Sequence, residues 1–187
     1  MSIYEKFATR MFLPVPIDAV AEELLESGCC ASITYFEVDT DPRELAGICR
    51  VHRERPPYAL DDNLHLHVIY SSKMDLQWRR MVVCKELLHA VDSEEERAAT
   101  REQVERLIDE IILPSELVGG IQSMSDRFGL LNALRVLLPR DALSELKELR
   151  ENGSISEDDV SSLAQIPEPL AKFAILSPIW QQILDNY

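Results

Sequence analysis

Arg79-Arg80-Met81-Val82-Val83-Cys84-Lys85-Glu86-Leu87-Leu88-His89-Ala90-Val91-Asp92 is the stretch whose reading decides the fold. From Trp78 to Val91 it holds neither Gly nor Pro. Leu76, Val83, Leu87 and Val91 recur at helical spacing, and Met81, Cys84 and Leu88 widen the stripe. A helix apolar around most of its girth belongs inside a domain. Lys85 and His89 are four residues apart and Glu86 and His89 three apart, spacings that stack side chains on neighbouring turns. The sequence therefore predicts a buried helix with three ionisable groups on one side.

Ahead of this helix the periodicity is that of strands. Ile33-Thr34-Tyr35-Phe36-Glu37-Val38 is rich in β-branched and aromatic residues and is followed by the turn Asp39-Thr40-Asp41-Pro42. Residues 45–52 read as its partner strand, with Arg50 and His52 on one face and Cys49 and Val51 on the other, and residues 64–70 as a third strand. Three strands before a long helix imply an α+β fold, a small mostly antiparallel three-stranded sheet packed on that helix. At the N-terminus, residues 3–12 predict a helix stopped by Pro14. A second helix starts at Pro16, where the missing N–H costs nothing, shows the apolar face Ile17, Val20, Ala21, Leu24 and Leu25, and ends at Gly28.

Beyond the central helix, Ser93 with Glu96 fits a capping box, and Val104, Leu107, Ile108, Ile111 and Ile112 supply an apolar face up to Pro114. Gly119-Gly120 marks a soft boundary between a domain at 1–118 and a helical C-terminal region at 119–187. Helices are predicted there at 121–138, 141–151, 156–165, 167–176 and 178–185. Phe173, Ile179 and Trp180 would serve to pack these helices on the core or to form a dimer surface. Residues 156–177 resemble a helix-turn-helix in outline, but Lys172 stands nearly alone where a reading helix needs basic residues.

Composition narrows the function. At 187 residues, with 46% hydrophobic and 28% charged residues, the chain is a globular protein with enough length for one well-buried core. No apolar run reaches the length of a membrane span, and residues 1–10 lack a secretory pattern, so a cytoplasmic protein is expected. A formal charge of −14 repels polyanions and argues against direct nucleic-acid or anionic-membrane binding. Cys29, Cys30, Cys49 and Cys84 lack paired zinc-binding spacing and read as free buried thiols, although the cation beside Cys84 leaves a reactive thiolate conceivable. His65 and His67 share one face of their strand: they line its solvated side, or they join His89 in a displaced metal site.

The run Lys85-Glu86-Leu87-Leu88-His89 resembles the helix of the ImmA/IrrE family of zinc peptidases, whose His-Glu-x-x-His places two imidazoles on one metal and a glutamate beside the metal-bound water. The strand 64–72, the Arg79-Arg80 helix start and the Ile111-Ile112-Leu113-Pro114 closure are similar to that family too, over residues 16–120. The resemblance implies a zincin-like scaffold in which Glu86 holds the position of the catalytic base and Lys85, His89 and Arg101 the three metal positions. Two of those three are cations. A lysine must lose a proton before it ligates, at a cost of about 5 kcal/mol at neutral pH, and an arginine effectively cannot. The resemblance thus implies a degenerate site with no metal, ion-paired through Lys85, Arg101, Glu86 and Glu102, in a non-catalytic protein that binds a protein partner or itself. Two alternatives remain open at this point. One is a working zinc peptidase that draws its missing ligand from His65, His67 or Glu102; the other is a transcription-associated regulator acting through the C-terminal helices.

Overall fold

The computed structural model describes residues 2–55, 63–89, 91, 124–178, 180–181 and 184, with 124–127 described as backbone. Residues 92–123 lie outside this set, and with them Arg101, Glu102, the Ser93 cap, the Pro114 closure and the boundary at 118. The described fold is α+β: a small mixed sheet packed against helices, with two N-terminal helices before it and a helical region after it.

Strands β1 (Ser32–Val38), β2 (Gly47–Glu54) and β3 (Asn63–Ser71) form one sheet in the order β1-β3-β2. β2 runs antiparallel to β3, but β1 runs parallel to it. The mostly antiparallel expectation is therefore corrected, and so is the pairing of 33–38 with 45–52. The central place goes to the strand with the most to bury: Leu66 and Val68 of β3 are fully enclosed, whereas Arg50, Arg53 and Glu54 of β2 suit an edge. The connection at 39–46 is also too long for a tight hairpin. Asp41 organises it by accepting from the Arg43 backbone N–H at 2.9 Å and from the Arg43 guanidinium, contacts that lower the Asp41 carboxyl to about 2. Ser71 pins it from β3, its Oγ donating to the Thr40 carbonyl at 2.6 Å and its N–H to the Ala46 carbonyl at 3.1 Å.

Pleating divides the sheet into two faces. Leu66 and Val68, with Cys49 and Val51 opposite them, point to the helices; His65, His67 and Ile69, with His52, Arg50 and Ile48 opposite them, point the other way. Arg50 and His52 thus share a face, as expected.

Helix α3 (Leu76–Leu88) lies against the inner face, with residues 81–88 buried without a break. The Asp75 carboxylate caps it, accepting from the Trp78 N–H at 2.8 Å. It stops at Leu88 with His89 as C-cap, three residues before Val91, and no Gly or Pro marks the stop. Helix α4 (Met124–Leu137) is its neighbour and nearly as enclosed: Leu130, Leu131, Ala133, Leu134, Val136 and Leu137 are all buried.

Helices α1 (Ile3–Ala8) and α2 (Ile17–Glu26) flank this pair. α1 is shorter than expected and opens on a capping box between Ser2 and Glu5. In α2, Val20, Ala21 and Leu24 are buried, Leu25 is exposed, and Gly28 takes the left-handed conformation that closes the helix, with φ +75°. Helices α5 (Arg140–Glu151), α6 (Glu157–Ala164) and α7 (Glu168–Leu176) follow the expected order. α6 carries the expected Ser156 cap, completed as a capping box by Asp159. Phe173 and Trp180 sit with ring centroids 5.7 Å apart and Trp180 fully buried, so both pack into the core, while Ile179 lies outside the described residues. No helix among the described residues is long and apolar enough to cross a membrane.

Candidate functional site

The three ionisable groups of α3 meet where that helix is clasped between the sheet and α4. Lys85 Nζ lies 2.7 Å from Glu86 Oε1, and the two side chains are only 1% and 2% exposed. The contact is close yet poorly aligned for a hydrogen bond, so Oε1 is compensated mainly by charge. His89 Nε2 stands 3.9 Å from the other carboxylate oxygen, and its ring is 21% exposed at the rim. The site is therefore an enclosed ion pair with one imidazole at its margin.

Two glycines make this enclosure. A Cβ on Gly47 of β2 would fall 2.4 Å from Val82 Cγ1 and 3.0 Å from Glu86 Oε1. A Cβ on Gly129 of α4 would fall 2.7 Å from Lys85 Cγ and 3.4 Å from His89 Cε1. Each glycine lets its backbone approach to a distance that a side chain forbids. Strand and helix thus seal Glu86 and Lys85 from opposite sides. Neither glycine was singled out in the sequence, although an isolated Gly inside an apolar helical run such as Phe128-Gly129-Leu130-Leu131 is the signal of a close approach.

Cys49, on the inner face of β2, is near enough to feel this pair. Burial first, and then the Glu86 charge, push its thiol up to about 11. Cys84, wholly buried, is pushed up further by burial, with Arg80 opposing weakly. Burial thus favours the protonated form of both thiols, and Cys84, fully enclosed in the core, offers no accessible thiolate.

Arg79 and Arg80, read in the sequence as the helix start, act as tethers. Arg79 donates to the carbonyls of Ser72 and Met74 and pairs with Glu37 of β1 at 3.2 Å. Arg80 donates to the Val15 carbonyl at 2.8 Å and to the Gln165 carbonyl at 3.1 Å. One guanidinium thereby joins the segment before α2 to the turn after α6.

The displaced metal site is not assembled. His65 and His67 lie on the outer face of the sheet, while α3 packs on the inner face, so neither imidazole reaches His89 or Glu86. His65 Nδ1 instead lies 2.8 Å from Ser32 Oγ, and the His67 ring meets the Phe36 ring edge-on at 5.4 Å. Among the described residues no three His, Cys, Asp or Glu side chains converge as a metal-binding group. The donor set on α3 itself does not fit a zinc ion: the carboxylate is already compensated by an internal cation, and a dication beside it would meet the Lys85 charge.

Compared with models of protein families, with curated protein sequences and with solved structures, the chain shows no match to any of them.

Proposed function

We propose that this chain is a non-catalytic protein that keeps a zincin-like helix as architecture and works by binding a protein partner. The observation that carries this reading is the Lys85–Glu86 pair, 2.7 Å apart and sealed by Gly47 and Gly129. A zinc peptidase needs its glutamate free to take a proton from metal-bound water. Here Glu86 is committed to a lysine that fills the position of a metal ligand in the resemblance. The side chains available to replace that ligand from β3 face away from the site.

A regulator that reads DNA through α6 and α7 has less support. Lys172 of α7 is paired with Glu168 and lies 3.9 Å from Asp158, so its charge is spent within an acidic surface. The free thiols of Cys29, Cys30, Cys49 and Cys84 support placement in a reducing compartment, as a cytoplasmic protein requires.

The test is elemental analysis of freshly purified protein, with thermal unfolding followed with and without added zinc. Substoichiometric zinc and an unchanged melting temperature are expected. One zinc per chain, lost in His89→Ala, overturns the reading.

A further inference from the structure

β1 and β2 are the two edges of the sheet, and their chemistry differs. β2 carries Arg50, Arg53 and Glu54, charges of the kind that keep an edge strand from recruiting another chain. β1 has no Lys, Arg or Pro and is built mainly of β-branched and aromatic residues, Ile33, Thr34, Tyr35, Phe36 and Val38 among them. Its single charge, Glu37, is met by Arg79 at 3.2 Å. Thr34, Tyr35, Phe36 and Glu37 are all exposed although their side chains alternate between the two faces, with Tyr35 at 38% and Phe36 at 43%, so this edge is open on both sides. Among the described residues, backbone hydrogen bonds to residues 32–37 come from β3 alone. Alternate N–H and C=O groups of β1 therefore point away from the sheet, a template that an extended chain matches and a helix does not.

We infer that β1 pairs with β1 of a second copy of this chain, antiparallel across a two-fold axis, so that two three-stranded sheets become one. A two-fold centred on Tyr35 pairs all seven residues of the strand at once: Ser32 with Val38, Ile33 with Glu37, Thr34 with Phe36, and Tyr35 with its own copy. The outer face then sets a β-branched residue opposite an aromatic one, a favourable cross-strand pair, and no two like charges stand opposite each other. The joined sheet runs β2-β3-β1-β1-β3-β2, which removes both uncharged edges and leaves only the charged β2 edges at its ends. Charge selects the same contact. A formal charge of −14 repels a second copy over most of the surface, and β1, with Glu37 compensated by Arg79, is where two copies meet without net charge. The inference stands apart from the reading of α3, since the dimer forms or fails whether or not zinc binds.

Sedimentation velocity of the intact chain over a range of concentrations decides it. A monomer–dimer equilibrium is expected, and salt should tighten it, because the joined strands are neutral while the two copies repel at longer range. Thr34→Lys with Phe36→Lys sets like charges opposite each other across the two-fold and should weaken the dimer about tenfold or more. Thr34→Glu with Phe36→Lys sets opposite charges at the same places and should dimerise about tenfold more tightly than the first variant, a recovery that a folding defect cannot mimic. Ile48→Lys, on the far edge, should leave the dimer unchanged. Each variant is first shown to keep the far-ultraviolet spectrum and melting temperature of the parent. A chain that stays monomeric up to about 0.1 mM, a dimer untouched by Thr34→Lys with Phe36→Lys, equal weakening in the two double variants, or a dimer lost in Ile48→Lys overturns the inference.

Discussion

Gly129 on α4 approaches Lys85 on α3 so closely that a methyl group on its Cα would stand 2.7 Å from Lys85 Cγ. The atom in the way is near the root of a buried side chain that cannot swing aside. Gly129→Ala gains about 1 kcal/mol of helix propensity, but overpacking costs about 1–3 kcal/mol. The expected result is net destabilisation in urea unfolding, against the gain that the same change gives in an uncrowded helix.

On the opposite wall, Gly47→Ala drives a methyl group to 2.4 Å from Val82 Cγ1. The expected cost is about 1–3 kcal/mol. Because the obstacle is one methyl group, Val82→Ala should relieve it. A double-mutant cycle between the two positions should show favourable coupling, and strict additivity would mean that the strand and helix do not touch there.

The ion pair itself gives an asymmetric expectation. Lys85→Met strands the Glu86 carboxylate at 2% exposure and should cost about 3–5 kcal/mol, whereas replacing both partners, Lys85→Met with Glu86→Met, should recover most of that loss. Unfolding free energies of the two singles and the double check it. A double variant as unstable as the singles would mean that the pair is held by more than mutual compensation.

Arg80 reaches two carbonyls, of Val15 and Gln165, with one planar group. Arg80→Ala should cost about 2–3 kcal/mol from lost charge-assisted hydrogen bonds. Arg80→Lys should not restore it, since a single ammonium lacks the fork that spans both. Protease cleavage near Val15 and Gln165 should rise in both variants.

Burial raises the Cys84 thiol above its ordinary value, which fixes the sign of a pH effect. Its contribution to stability is full below the unfolded thiol value near 8.5 and is lost as pH rises past that value, because the unfolded chain then releases a proton that the folded chain holds. Such a group steepens the alkaline fall by up to about 1.4 kcal/mol per pH unit. Cys84→Ala should flatten the decline of unfolding free energy between pH 9 and 10, and native Cys84 should resist iodoacetamide until the chain unfolds.

Local patterns in the sequence settle the elements and the enclosed character of the central helix. The apolar residues on either side of Lys85 and Glu86 at 81–88 mark a helix that is enclosed around most of its girth, the alternation in β3 marks which residues face inward, and Ser156, Gly28 and Gly153 stop or start helices by chemistry confined to a few neighbouring residues. The closeness of Lys85, Glu86 and His89 follows from helical spacing alone. What tertiary structure decides is everything that depends on which surfaces meet. Strand order is one case, because the parallel β1–β3 pairing comes from competition for the buried centre of the sheet and not from adjacency in the chain. The fate of His65 and His67 is another: alternation puts both imidazoles on one face of β3, and only the packing of α3 on the opposite face separates them from His89. The sealing of the ion pair is the third, since Gly47 and Gly129 are far from Lys85 in sequence and matter only through the distance to which their bare backbones bring β2 and α4.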